Sequence, residues 1–453
     1  MLAAVGVVLG AALAVSPGSW AATDTNDDAE GAQTWSQVTD DDGKNTDEVA
    51  VVRTDDGVLH VLWRKRAAAN QEQIQHTPVT DGDVGDTTMA SGPWGSAGNP
   101  AAILTSDGGF RIFFGGLTGT NASADGVQSA STTATASAWT QSGRVSSTMS
   151  AIGEGVGAGE RPDNVPAFAY AYSFVLGLHF GLDPGTEDVN LLQSRACCAY
   201  FPNLAFSETD GDGYIAWYSN VTGQEGLWVQ QIWPTLGTAT AVPEATVDGK
   251  LVAPSQRSPI EARVGGGSYY AYCSGYPTCT EVKLWKVGDP APVDVATGKD
   301  VEDVNLAADP DGRLWVMWED TAEGLFAART NEDADEIGAA VQFDRAPDAE
   351  DTWKLQGDAT SEHVDVFASF TTPDALATWH TAVLPGLTVE TAKTKKKVTF
   401  SVSDAGEPVA GAKVAFKKKT VTTNSKGVAS APAGKGTATI TKSGYTDAVA
   451  SVK

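Results

Sequence analysis

Leu306-Ala307-Ala308-Asp309-Pro310-Asp311-Gly312 runs into Leu314-Trp315-Val316-Met317-Trp318: an apolar strand, an Asp-Gly turn, and a second strand ending on an aromatic. The unit recurs. Val49 to Gly57 leads into Val58 to Trp63, and Ala101 to Gly108 leads into Phe110 to Phe114. Leu204 to Phe206, with Asp210 to Gly213, leads into Tyr214 to Trp217. Weaker copies run from Val165 to His179, Ile260 to Tyr272 and Val364 to Trp379. The copies repeat about every 53 residues between Trp63 and Trp379, the period of one four-stranded sheet in a ring of sheets. A lone sheet of this kind cannot cover both its faces, whereas a ring of them can.

The pattern predicts an all-β chain in which residues 34–391 form a seven-bladed β-propeller. Irregular spacing across residues 120–200 leaves six or eight blades open. Trp35, Trp94, Trp139 and Trp353 each precede a repeat and are expected on outer strands, packed between blades. The segment around Trp35 is expected to complete the last blade, which removes the open sheet edge.

Charge divides the chain. From Lys393 onward there are twelve Lys, no Arg and three acids, a net +9, which leaves −35 for the rest of a chain whose total is −26. Opposed halves of this kind indicate separate domains. The acidic body excludes nucleic acid as its partner, because phosphate contact needs clustered positive charge.

Leu2 to Val15 is an apolar run closed by Ser16-Pro17-Gly18, and Ser19-Trp20-Ala21 offers a cleavage site. This reads as a signal peptide over residues 1–21, too short to span a bilayer. A secreted or surface-associated protein is expected, a monomer with no membrane span. Four Cys fit that oxidising compartment. Cys273 and Cys279 bracket a short turn-rich loop and are expected to pair, leaving adjacent Cys197 and Cys198 as their own pair. Crossed pairing remains the alternative.

After residue 392 the strands alternate cleanly. Val398 to Val402 is followed by Gly406 to Phe416, a turn at Thr423 to Gly427, the strand Thr437 to Thr441, and Ser443-Gly444-Tyr445. The stretch Gly406-Glu407-Pro408-Val409-Ala410-Gly411-Ala412-Lys413-Val414 resembles carboxypeptidase-regulatory-like and bacterial immunoglobulin-like domains. The resemblance implies a small β-sandwich over 392–453 with an accessory role in secreted proteins. The body resembles sialidase propellers in architecture. Thr105-Ser106-Asp107-Gly108-Gly109 begins like an Asp-box, but Ile112 stands where Trp belongs. Phe110-Arg111-Ile112-Phe113 lacks the Pro of the family's arginine signature.

Candidate sites follow from loop chemistry. Arg161, Arg195 and Arg257 are expected in successive loops entering innermost strands, where guanidinium forks could converge on a carboxylate or phosphate. Inter-blade ion pairing is the competing role. Glu208, Asp210 and Asp212 place acids at positions 1, 3 and 5 of a calcium-type loop, but Ala216 and Ser219 replace the later ligands. The sequence implies no cofactor other than this incomplete calcium loop. His60 and the other four His lack any nucleophile or zinc context. The expected function is extracellular binding, with an acidic glycan or anionic surface polymer as partner. The alternative is a sialidase-like glycoside hydrolase.

Overall fold

The computed structural model describes residues 34–39, 48–146, 155–171, 177–185, 189–190, 199–219, 221, 223–245, 256–274, 279–372 and 376–453. The leader, Arg195, Cys197 and Cys198 lie outside the described residues. The fold is a β-propeller. Among the described residues seven antiparallel sheets follow one another, with innermost strands Ala50–Arg53, Ala101–Leu104, Val156–Glu160, Ala199–Phe206, Ile260–Ala262, Val301–Ala308 and Asp351–Ala359. Each innermost strand touches the next around the axis, and the seventh touches the first. The only helix among these residues is one 3-10 turn at Ala122–Ala124. No described helix is long and apolar enough to cross a membrane.

Burial on both faces explains the continuous apolar runs. In Leu314–Asp320 every residue is buried. Trp315 and Met317 join the cluster shared with the seventh sheet, and Leu314, Val316 and Trp318 join that shared with the fifth. Alternate side chains of one strand thus fill the gaps on its two sides. Crowding near the axis selects small residues. A Cβ on Gly157 would lie 2.5 Å from both Asn203 Cα and Pro202 O on the neighbouring sheet.

The ring closes as the sequence indicated. Ser36 and Gln37 pair with His380 and Trp379, adding an N-terminal strand to the last sheet. Trp35 stands edge-on to Phe370 at 5.1 Å and donates from Nε1 to Asp344 O at 3.0 Å. Trp353 departs from expectation. It lies in the innermost strand, where the register shifts between Thr352 and Lys354, and that bulge leaves it 46% exposed.

Two further four-stranded sheets follow, beginning with the hairpin of Thr388–Lys393 and Lys397–Asp404. They share a core of Val398, Phe400, Val402, Val414, Phe416 and Ile440. Arg329 of the sixth sheet donates from Nε to Asp404 Oδ2 at 3.0 Å, and Arg313 pairs with Glu407, so this region is docked onto the ring.

Candidate functional site

The chain itself occupies the end of the axial channel where innermost strands begin. Gln256 donates to Val304 O at 2.8 Å and accepts from Leu355 N at 3.0 Å. Ser258 N donates to Phe201 O at 2.9 Å, and Asn203 donates back to Ser258 O at 3.0 Å. Arg257 reaches the first sheet, with Nε 2.6 Å from Glu48 Oε1 and Nη2 2.7 Å from Val49 O. The Arg257 amide and Gln356 Nε2 also donate to that Glu48 oxygen, each at 3.1 Å. Three polar residues therefore pin four other sheets together, and Arg257 is spent on a buried internal ion pair.

Arg161 sits at the opposite end. Its amide donates to Val165 O and its carbonyl accepts from Asn164 N. The same bond pair closes the Thr54–Val58 and Thr105–Gly109 turns. Arg161-Pro162-Asp163-Asn164 is thus a disguised Asp-Gly turn between first and second strands, with Asn164 at φ +62° in the place of glycine. Its guanidinium is held by Asp163 (Nε to Oδ1, 2.9 Å) and lies 3.7 Å over the Trp233 ring. The structure does not bring Arg161 and Arg257 together. A left-handed Asn in turn position was the signal that could have placed Arg161.

Two of the calcium-type acids bond to different partners. Asp210 accepts from the amide of Gly267 on the next sheet and from Ser207 Oγ at 3.0 Å, which hold its carboxyl below the usual range. Asp212 accepts from Gln231 at 3.0 Å, and Glu208 is exposed. Elsewhere, Glu302, Asp303 and Glu319 offer acidic oxygens within 4.8 Å of one another, and Arg345 pairs with Glu319.

Within the channel, a cavity of ≈ 460 Å³ is lined by residues of all seven innermost strands, including Arg53, Glu160, Glu261 and Asp358. Arg53 donates to Asp358 at 2.6 Å and also pairs with Asp365. Burial, aided by Asp358 and opposed by Arg257, pushes the Glu261 carboxyl up to about 8. Burial would raise Asp365 too, but bonds from His363 (3.1 Å) and His380 (2.7 Å) hold it well below the usual carboxylate range.

A larger groove, ≈ 750 Å³, opens between the first and second sheets. Trp94 closes the edge strand Thr88–Trp94 of the first sheet, and Trp139 precedes the outer strand Thr140–Arg144 of the second. Both indoles line the groove and are partly exposed, and Met89 beside them is 49% exposed. Trp139 is braced edge-on against Phe110 at 5.4 Å, and Trp94 against Phe114 at 5.6 Å. Polar groups along the wall are fixed: Gln141 donates to Ala90 O at 2.9 Å and accepts from Ser91 Oγ at 2.8 Å. Gln128, Thr135 and Ser137 add to the polar lining, and no Arg or Lys is among the lining residues. His76 at the groove wall stacks on His60 as a buried pair, His60 Nδ1 to His76 Nε2 at 2.8 Å. Burial, reinforced by His60, brings His76 down to about 4, so the pair is neutral at pH 7. The sequence pointed to both tryptophans as packing residues; their shared groove depends on a sheet-to-sheet contact that no repeat encodes.

No protein-family model and no curated protein matches this sequence. Solved structures do. A Dyadobacter fermentans protein of unknown function aligns at 10% identity and TM-score 0.48, covering 77% of this chain and 97% of that one. A six-bladed propeller lectin from Aleuria aurantia aligns at 12% identity and TM-score 0.41, covering 75% and 93%. The α-L-arabinofuranosidase Arb93A of Fusarium graminearum aligns at 10% and 0.43, covering 78% and 96%. None of these three reaches a TM-score of 0.5, and no function passes from them to this chain.

Proposed function

We propose that this protein is a secreted, seven-bladed propeller that binds an extracellular glycan in the groove between its first two blades. An immunoglobulin-like sandwich over residues 392–453, to whose first sheet the Thr388–Lys393 strand adds, serves it as an accessory domain for surface association. The supporting observation is the pair of braced, partly exposed indoles, Trp94 and Trp139, on one groove with fixed amides and hydroxyls. Aromatic faces cover the C–H faces of a sugar ring, while pre-set polar groups take its hydroxyls without further ordering cost. With no Arg or Lys on its walls, the groove suits a neutral sugar rather than the acidic one that the arginine pattern suggested. The Cys273–Cys279 disulfide agrees with an oxidising compartment.

Binding is favoured over hydrolysis. Glycosidases of the common kind need two carboxyl groups across the scissile bond, and Asp86 is the one acid lining the groove. The channel carboxyls are a poor substitute, since Asp358 is tied to Arg53 and the Gln256–Ser258 segment lies across one end. The test is a screen of neutral oligosaccharides, followed by titration calorimetry on Trp94→Ala and Trp139→Ala. Each should weaken the best sugar by about tenfold or more, equivalent to about 1.4 kcal/mol, while Trp353→Ala leaves it unchanged. Parental affinity in both groove variants overturns the assignment.

A further inference from the structure

Nine of the twelve lysines from Lys393 onward are gathered at one end of the C-terminal region. The Thr388–Lys393 strand runs to a turn at 394–396 and returns as Lys397–Asp404. Val428–Pro432 runs antiparallel to that strand with Pro432 opposite Lys397, and Ala433 N donates to Lys396 O at 3.1 Å. Lys413–Phe416 turns at Lys417 and Lys418 beside the start of Gly436–Thr441, and Val452 pairs with Gly436. These pairings gather Lys393, Lys395, Lys396, Lys397, Lys417, Lys418, Lys419, Lys435 and Lys453 at one end. All nine are exposed, and Lys393 Nζ reaches Lys453 O at 2.8 Å. No acid lies in residues 391–397, 414–419 or 431–438, nor in 450–453. Two of the three acids after Lys393, Asp404 and Glu407, sit at the other end and are paired with Arg329 and Arg313 in docking.

We propose that this lysine-bearing end is a docking surface for a long acidic polysaccharide. Distance supports it. Eight residues of Lys397–Asp404 at about 3.3 Å each carry the lysines roughly 23 Å from the docked end. That is nearly three Debye lengths of about 8 Å at physiological salt, so the acidic ring does not cancel their field. The chemistry is selective as well. Lysine is a hydrated point charge without a planar fork, suited to charge density along a flexible chain rather than bidentate geometry. This end has no Arg and no exposed aromatic, the groups that read or stack nucleic-acid bases. The inference builds on the accessory role proposed above and leaves the groove out of account.

The test uses the full chain on immobilised polygalacturonate, with a DNA oligonucleotide of equal charge as comparison. Lys395, Lys396 and Lys397 are replaced by Ala in one variant. Lys413, Lys426 and Lys442, which lie toward the docked end, are replaced in a second that loses the same charge. Each lysine beside an anionic surface contributes roughly fivefold, so the first variant should bind at least tenfold more weakly and the second within about twofold of the parent. Both should keep the parental melting temperature, and Trp139→Ala should still bind, which separates this surface from the groove. Equal loss in the two triple variants, no loss in either, no binding by the parent, or tighter binding to DNA than to polygalacturonate overturns it.

Discussion

Arg329→Ala should loosen the whole molecule, because its guanidinium joins the ring to the C-terminal region through a buried pair. The side chains of Arg329 and Asp404 are 7% and 3% exposed. Arg329 Nη1 also donates to Ser361 O at 3.0 Å, and Tyr445 donates to the shared Asp404 oxygen at 3.3 Å. Removing one partner of a buried pair strands the other charge, which costs about 3–5 kcal/mol. Removing both strands neither. The double variant Arg329→Ala, Asp404→Ala should therefore be more stable than the sum of the single changes, by up to about 3 kcal/mol. Equilibrium urea unfolding followed by tryptophan fluorescence measures this from the ring's side, since all 13 Trp lie at or before residue 379. A ring whose stability is unchanged in Arg329→Ala, or single changes that add within about 0.5 kcal/mol, would show that the pair does not couple the two regions.

Arg257→Ala should lower stability by about 3–5 kcal/mol, as Glu48 is left charged and buried, while sugar binding in the groove is kept; lost binding at parental stability would return Arg257 to a ligand site. The His60–His76 pair predicts acid sensitivity. The folded-state pKa of His76, about 4, lies below an unfolded value of about 6.5, so the folded state binds fewer protons. Its stabilising contribution is full above pH 6.5 and is lost as pH falls toward 4, roughly 3 kcal/mol in all. His76→Gln should flatten the stability–pH curve across that window, and an unaltered slope by urea titration would contradict the buried neutral pair.

What the sequence disclosed followed the physics of local repetition. Asp-Gly turns between apolar runs recur because each sheet needs the same reversal, so the ring and its closure at Trp35 could be read directly. The bulge at Trp353 could not, since one extra residue in a strand flips the face its neighbours present. Arg161 was misplaced for a related reason: Pro162 and Asn164 satisfy the same turn without the Asp-Gly spelling. The segment crossing the channel was invisible because the bonds that hold Gln256, Arg257 and Ser258 across it run to other sheets, 48 to 209 residues away. The groove needed contact between sheets, which a repeat implies but does not detail.

Charge behaved differently, and its arrangement changes what the totals mean. A net +9 after Lys393 suggests a diffuse field over a small domain. Docking pairs Asp404 and Glu407 with Arg329 and Arg313 of the ring. Those two acids offset arginines of the ring, not lysines of their own region. The strands then fix where the lysines stand: turns at 394–396 and 417–418, the loop at 433–435 and the final residue all fall at one end. Composition supplied the sign of the field, and antiparallel pairing supplied its direction. A region that a charge count describes as a basic sphere is therefore polar along its strands. It grips the ring through its acids at one end and offers only cations at the other.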